Sequence, residues 1–277
     1  MPKPNYGIDA PTVLRNLLIA AAVGSIGGLV LLRYVGPIGR PFLSIGWGSG
    51  LGALLLLWSS LFGKFRARDA LLNAVPWRGD EQVLDVGCGH GLMLIGAAKR
   101  LSSGHATGID IWQDVDQAYN SAAATLRNAE LEGVTVDVRD GDARKIPFGG
   151  ATFDVVVSSL ALHNIYNATE REQALGEIAR VLKPGGHAAI FDVRHSYVSF
   201  FERNGFTIVK KWTTMLFGRS VVALKNQVGT GLVLFSVVPK RDGTCVKTPV
   251  GVYVDKPGNE KGMMAEAQKL FVQGVCR

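Results

Sequence analysis

The chain has 277 residues, 30 Lys+Arg against 23 Asp+Glu, a formal charge of +7 and only 19% charged residues, below the roughly 25% usual for soluble domains. Its three cysteines, Cys88, Cys245 and Cys276, are too few and too scattered for a disulfide framework or a zinc site, so a reducing compartment is the default and no metal site is expected. The absence of repeats, low-complexity tracts and long like-charge runs argues against a solenoid or a nucleic-acid-binding tail.

The charge deficit is local. No formal charge occurs in the 17 residues between Arg15 and Arg33, or in the 23 between Arg40 and Lys64. As helices these stretches reach about 26 and about 34 Å, against a hydrocarbon core of roughly 30 Å. The second spans; the first does so when Arg15 and Arg33 reach out to the interfaces. Membrane spans at about 16–35 and 41–63 are therefore expected, with a helical hairpin in a soluble core as the alternative. The link Gly36-Pro37-Ile38-Gly39-Arg40 is made of helix breakers and folds the pair into a hairpin. Gly24 with Gly28, Gly46 with Gly50, and Gly48 with Gly52 have the spacing that lets helix backbones approach closely. Lys3, Arg15, Lys64, Arg66 and Arg68 flank the outer ends, against Arg33 and Arg40 in the turn, so positive-inside bias puts both termini in the cytoplasm.

From Gln82 the pattern changes to short β-branched runs separated by helical stretches. Strands are expected at Gln82–Val86, Ala106–Asp110, Val134–Arg139, Phe153–Ser158, His187–Val193, Phe206–Trp212 and Ser220–Lys225. Helices are expected at Leu92–Leu101, Val115–Leu131, Glu170–Leu182 and Tyr197–Asn204. This alternation implies an α/β domain with a mostly parallel, doubly wound sheet. Thr169 with Glu172 reads as a capping box, and Lys183-Pro184-Gly185-Gly186 as the stop of the same helix. Beyond Gln227, Leu232–Val238 reads as an extra edge strand and Met263–Val272 as a short amphipathic helix. The chain then divides into a transmembrane hairpin (1–63), a juxtamembrane or lid segment (64–79), an α/β domain (80–226) and a C-terminal extension (227–277).

In such a sheet, ligands bind beyond the strand ends at the switch point beside the first strand. There the sequence reads Asp85-Val86-Gly87-Cys88-Gly89-His90-Gly91. Glycines at alternate positions allow a sharp strand-to-helix turn and let a ligand lie against backbone N–H groups. The third glycine comes one residue too early for a dinucleotide fingerprint.

Asp85 through Gly91 resembles the first motif of class I S-adenosylmethionine-dependent methyltransferases, and the domain resembles the small-molecule, quinone-biosynthesis type. Asp110, 19 residues after Gly91, falls where that family's acidic residue takes the ribose hydroxyls. Ile111 and Trp112 would flank the adenine, and Gly141-Asp142-Ala143 would supply the acceptor for its amino group. Phe153-Asp154-Val155-Val156 is similar to the family's fourth strand, and Val181 to Gly186 to its helix-end signature. The resemblance covers about residues 80–226 and implies a Rossmann-like seven-stranded sheet. It also implies S-adenosylmethionine as cofactor, held by Asp85, Gly87, Cys88, Gly89, Gly91, Asp110, Ile111, Trp112, Gly141, Asp142, Ala143 and Ser158. Within that set Cys88 reads as a small apolar filler; Asp154, outside it, reads as a structural carboxylate.

Methyl transfer is an in-line displacement, so alignment, desolvation and, for some acceptors, proton removal are what the protein must supply. The fourth strand exits through Ser158-Ser159-Leu160-Ala161-Leu162-His163-Asn164. His163 is the first candidate for a general base, the alternative being a solvated loop histidine. Asp192, Arg194 and His195 are second choices. The Asn/Asp-Pro-Pro-aromatic run of base and amide methylases is absent here, which argues against nucleic acid as substrate. With one short helix between the fifth and sixth strands, residues 64–78 and the hairpin are left to roof the pocket. The expected acceptor is a small lipophilic or membrane-held molecule, with membrane lipid as a partner and the catalytic domain on the cytoplasmic side. A membrane-tethered protein methylase and a cofactor-binding scaffold without turnover are the alternatives.

Overall fold

The computed structural model describes residues 2–113, 120–193, 197–214, 218–226, 232–239 and 245–253. The chain forms two compact units, Met1–Lys225 and Asn226–Arg277, so the hairpin and the α/β domain belong to one unit. Cys276 and the helix expected at Met263–Val272 lie outside the described residues.

The first unit begins with two long apolar helices, α1 (Pro11–Tyr34) and α2 (Gly39–Trp58). The helix Pro11–Tyr34 and the continuous helical stretch Gly39–Leu72 that α2 opens are each long and apolar enough to cross a membrane, and only 11% of each apolar window is buried. Helix α1 starts five residues before the expected span because Pro11, already fixed near helical φ, opens its first turn. Pro41 sits in the first turn of α2, where the missing N–H has no helical partner to lose. The helices meet along a seam in which Gly24 and Gly28 of α1 are buried against α2. A Cβ added to Gly24 would lie 2.8 Å from Gly46 N. The seam corrects one expected pairing. Gly46 belongs to it, but Gly48 faces open space and Gly50 and Gly52 touch only side chains beyond 3.6 Å.

Helix α2 does not stop at the domain boundary. It passes through a π-helical turn, Ser59–Gly63, straight into α3 (Lys64–Leu72). Leu71 and Leu72 of α3 are fully buried in the domain core, and Leu72 packs with Arg68 over Gly96. The segment expected as juxtamembrane or lid is thus partly core. At this junction Trp58, Leu61, Phe62, Phe65 and Arg66 line an open cleft of about 450 Å³.

The domain continues with β1 (Gln82–Val86), α4 (Leu92–Ala98), β2 (His105–Asp110), α5 (Ala122–Leu131), β3 (Asp137–Asp140) and β4 (Phe153–Ser159). Helix α6 (Ala168–Val181), β5 (Leu182–Asp192), α7 (Val198–Arg203), β6 (Phe206–Thr214) and β7 (Gly218–Lys225) complete it. The sheet order is β3-β2-β1-β4-β5-β7-β6, with β7 antiparallel to both neighbours and β1 to β5 parallel. This is the expected seven-stranded, Rossmann-like sheet. Successive strand residues alternate between two cores, as a pleat covered on both faces requires. Val83, Val155 and Val157 join Leu72 and Leu94 on one side, while Leu84, Val156 and Ile190 join Ile178 and Phe201 on the other.

Several boundaries move for local reasons. Strand β3 begins at Asp137 rather than Val134, because Val134 N–H is taken by the Ala129 carbonyl at the end of α5. Helix α4 ends at Ala98, and Arg100 and Leu101 follow in tighter turns on Ala97 and Ala98. The described part of the helix expected at Val115–Leu131 starts at Ala122, capped by Ser121; residues 114–119 lie outside the described ones. The cap of α6 is Asn167, whose Oδ1 accepts from Thr169 N at 2.8 Å and Glu170 N at 3.4 Å. That corrects the capping box read at Thr169. The helix starts two residues earlier than that box requires and leaves Thr169 inside its first turn. In the second unit, β8 (Leu232–Pro239) pairs with β9 (Cys245–Tyr253) in a two-stranded antiparallel sheet and is not an edge of the main one.

Candidate active site

The sheet order reverses beside β1, so the loops after β1 and β4 open side by side. After Val86 the chain turns through Gly87, Gly89 and Gly91 at φ of 74°, 50° and 85°, a region other residues rarely adopt. Gly87 N and Cys88 N both donate to the Ile109 carbonyl, and Gly91 N to the Cys88 carbonyl. A Cβ on Gly87 would run into the Cβ of Ala161 in the β4 exit. The glycine loop and the β4 exit are therefore in direct contact.

Asp85, at the base of this loop, is 1% exposed, and neither of its carboxylate oxygens has a well-formed hydrogen bond. Burial pushes the carboxyl up to about 8; the Leu94 backbone opposes this in part and the Asp110 charge adds to it. A carboxylate withheld from water with so little donation is costly to keep charged unless a cation comes to it. Asp110, at the end of β2, ties the loop to the next one. Its Oδ2 accepts from Gly89 N at 2.9 Å, and its Oδ1 from Trp112 N at 2.7 Å and Asn120 Nδ2 at 3.3 Å. Ile111 is half exposed beside it. Trp112, at φ 55°, donates from Nε1 to Asp140 Oδ1 at 2.6 Å.

Gly141 N donates to the Asp110 carbonyl, which brings the loop after β3 to the same end of the sheet. There the Asp142 carboxylate is gripped by Arg144 through N, Nε and Nη2 at 2.6–3.0 Å. Those hydrogen bonds hold its carboxyl below the usual range. Arg144 also reaches Glu170 on α6, and Ala143 packs on the second core. Ser158 is buried, its hydroxyl donating to the Val86 carbonyl at 2.8 Å, so it braces β4 against β1. Cys88 is buried beside Gly108, and burial raises its thiol further, as suits a filler. Asp154 is the expected strut: it accepts from Gln82 N and Lys183 Nζ.

Past β4, a short 3₁₀ turn, Leu162–Asn164, seats Leu162 in the core and leaves the His163 side chain 20% exposed. His163 N donates to Asp192 Oδ2 at 2.9 Å. His163 Nδ1 lies 2.8 Å from Asp192 Oδ1, close in distance but out of line for a hydrogen bond. The buried Asp192 is held by two further donors, Val193 N on Oδ1 and Tyr197 Oη on Oδ2, each at 2.7 Å. Burial, and then the Asp192 charge, raises the Tyr197 phenol. The structure thus brings His163 and Asp192 together; Arg194 and His195 lie outside the described residues. Sequence reading missed Tyr197, Asn120, Asp140 and Arg144, which act through side-chain pairings across loops and carry no motif. No cluster of metal-binding side chains occurs among the described residues.

A glycine cradle, a buried carboxylate without a well-formed hydrogen bond beneath it and an acidic residue at the end of β2 fit a cationic nucleoside cofactor. Residues 84–190 match the family model described as methyltransferase domain. Over 127 residues the chain is 32% identical to a ubiquinone/menaquinone biosynthesis C-methyltransferase of Roseobacter denitrificans, covering 45% of this chain and 47% of that protein. It is 29% identical over 161 residues to a demethylmenaquinone methyltransferase of Staphylococcus aureus, covering 58% and 62%. The chain thus spans about half the length of the first of these curated relatives. Among solved structures, the [4+2]-cyclase SpnF superposes with a TM-score of 0.50 at 19% identity, over 59% of this chain and 81% of that one. The superposition shows a shared fold, which does not by itself fix a chemistry. The matched domain and the relatives support an S-adenosylmethionine-dependent methyltransferase and imply S-adenosylmethionine as its cofactor.

Proposed function

We propose that the chain is a membrane-anchored S-adenosylmethionine-dependent methyltransferase acting on a small lipophilic acceptor, with its catalytic domain on the cytoplasmic face. The observation that carries this reading is the contact of two loops: the glycine cradle over Asp85 abuts the β4 exit that presents His163 against Asp192. The residues that would hold the cofactor are Asp85, the loop from Gly87 to Gly91, Asp110, Ile111, Trp112 and the turn at Gly141. When bound, the cofactor supplies a methyl carbon already activated by a sulfonium. Asp85 provides the negative charge facing a cation, Asp110 the acceptor oxygens, and the glycine loop a surface without side chains. With its Nδ1 turned to Asp192, His163 leaves Nε2 to take a proton from an acceptor hydroxyl or carbon acid. Asp192, fixed by Tyr197 and two backbone N–H groups, stands 2.8 Å from the ring nitrogen that faces it.

The hairpin supports the membrane half of the reading. Val23 is 67% exposed and Trp47 75%, among a run of apolar side chains over the outer faces of α1 and α2. An apolar surface of that extent suits lipid and not water. The apolar cleft at Trp58, Leu61 and Phe62 lies where the hairpin meets the domain, a place suited to an apolar chain entering from the bilayer. The quinone-biosynthesis relatives point to the same class of acceptor.

Two measurements on detergent-solubilised full-length protein test the reading. Calorimetry should show binding of S-adenosylmethionine and of its demethylated product. Incubation with methyl-labelled donor and source-cell membranes should put label into the organic-extractable lipid fraction. Label in protein would replace the acceptor with a polypeptide, and binding without any labelled product would leave a scaffold.

A further inference from the structure

The nine residues before α1 run back over the domain. Tyr6 is buried, its ring edge-on to Phe65 of α3 at 5.7 Å and its hydroxyl donating to Glu132 at 3.0 Å. This strap is fastened at both ends. On the hairpin side, the Lys64 ammonium, 6% exposed, donates to the carbonyls of Tyr6 at 2.9 Å and Gly7 at 2.6 Å and lies 3.3 Å from Asp9. Ser60, in the π-helical turn, accepts from Asp9 N at 2.9 Å and donates to its carboxylate at 3.2 Å.

On the domain side the strap meets Asn128 of α5, which is buried. Asn128 Oδ1 accepts from Asn5 N at 2.9 Å, and its Nδ2 donates both to the Asn5 carbonyl at 2.8 Å and to the His90 carbonyl at 2.9 Å. His90 is part of the glycine loop. Gly7, at φ 67°, lies so close that an added Cβ would sit 3.0 Å from His90 Nδ1. One turn of α5 earlier, Thr125 donates its hydroxyl to the Gly89 carbonyl. One buried amide therefore joins the peptide backbone ahead of the hairpin to a carbonyl of the cofactor loop.

We infer that Asn128 and Lys64 are positioning residues, which hold the glycine loop in its binding shape through the strap and so make cofactor affinity depend on how the hairpin is seated. This rests on the reading of that loop as the cofactor site. The arrangement has a physical motive. The loop is held mostly by backbone hydrogen bonds and the Asp110 carboxylate, and a buried carbonyl such as that of His90 needs a donor to stay where it is. The side chain of Asn128 gives that donor to the loop and spends its other two bonds on the strap, so shifting one shifts the other.

Full-length protein with Asn128→Ala, Lys64→Met or Gly7→Ala tests this by titration with S-adenosylmethionine. The expected result is a Kd raised about tenfold by Asn128→Ala and several-fold by the other two. In assays with membrane extract, KM for the donor should rise while the rate at saturating donor stays within about twofold. Unchanged Kd in all three variants would overturn the inference, as would losses that track a lowered melting temperature or a lowered saturating rate. Gly7→Ala keeps the test open if Asn128→Ala fails to fold, since it leaves the buried amide intact and presses on the loop at His90 from the strap. Failure of the wild-type chain to bind S-adenosylmethionine is a separate result and would refute the cofactor site itself.

Discussion

The hairpin and the cofactor loop both depend on glycine, for opposite reasons. In the hairpin, Gly24 and Gly46 have ordinary helical backbones, and what matters is the absence of a side chain between two helices. In the loop, Gly87 and Gly91 carry positive φ, and backbone conformation is as important as space. The surroundings differ just as much. The hairpin seam is sealed by shape alone, whereas the loop sits over Asp85, a buried carboxylate with no proper donor. On the proposed function, a region that only anchors can be held by packing, whereas one that receives a cation keeps an unfavourable charge in reserve.

The largest effect should come from that reserve. Asp85 titrates at about 8 in the folded chain against 3.8 for the ordinary group. Between those values the folded state holds more protons than the unfolded one, so the Asp85 contribution makes stability fall as pH rises from about 4 to about 8. The total is on the order of 5 kcal/mol. Asp142, Asp154 and Glu177, held below their usual range by cationic partners and backbone donors, act the other way at lower pH. The Asp85 part is therefore the difference between wild type and Asp85→Asn. Melting temperatures across this range should decline more steeply for the wild type, and saturating S-adenosylmethionine should shrink the gap. Parallel curves for the two proteins would remove the contrast between loop and hairpin.

How much of this was legible beforehand follows the same division. Asp85, the three glycines, Asp110 and Gly141 lie next to one another in the chain or at the ends of strongly patterned strands, so local sequence found them. The hairpin was visible because 17 and 23 uncharged residues are hard to place otherwise. What sequence hid depends on which polar groups pair, near in the chain or far apart. Asn128 reads as one more polar residue on α5, yet it joins Asn5 to His90. Asp142 looks free in its motif, yet Arg144 occupies its oxygens. Thr169 looks like the cap of α6, yet Asn167 holds that place. Lys64 looks like a flanking charge for a span, yet it is buried under the strap. Pattern reveals which face a residue shares, and it is silent about which polar group is waiting there.

Substitution at glycine gives the second and smaller test. Gly87→Leu should reduce cofactor affinity at least about a hundredfold, because it combines a strained φ with collision at Ala161. In the hairpin, Gly24→Leu should separate α1 from α2 and cost about 1–3 kcal/mol, as overpacking does. Gly48→Leu, at a position facing open space, should change little beyond adding some helix propensity. Resistance of the hairpin to heat or protease in detergent ranks these two. If Gly48→Leu loosened the hairpin as much as Gly24→Leu, the seam would have to run along the other small-residue face of α2. If neither mattered, close backbone approach would not be what holds the anchor, and the parallel with the loop, where both conformation and space forbid a side chain, would end there.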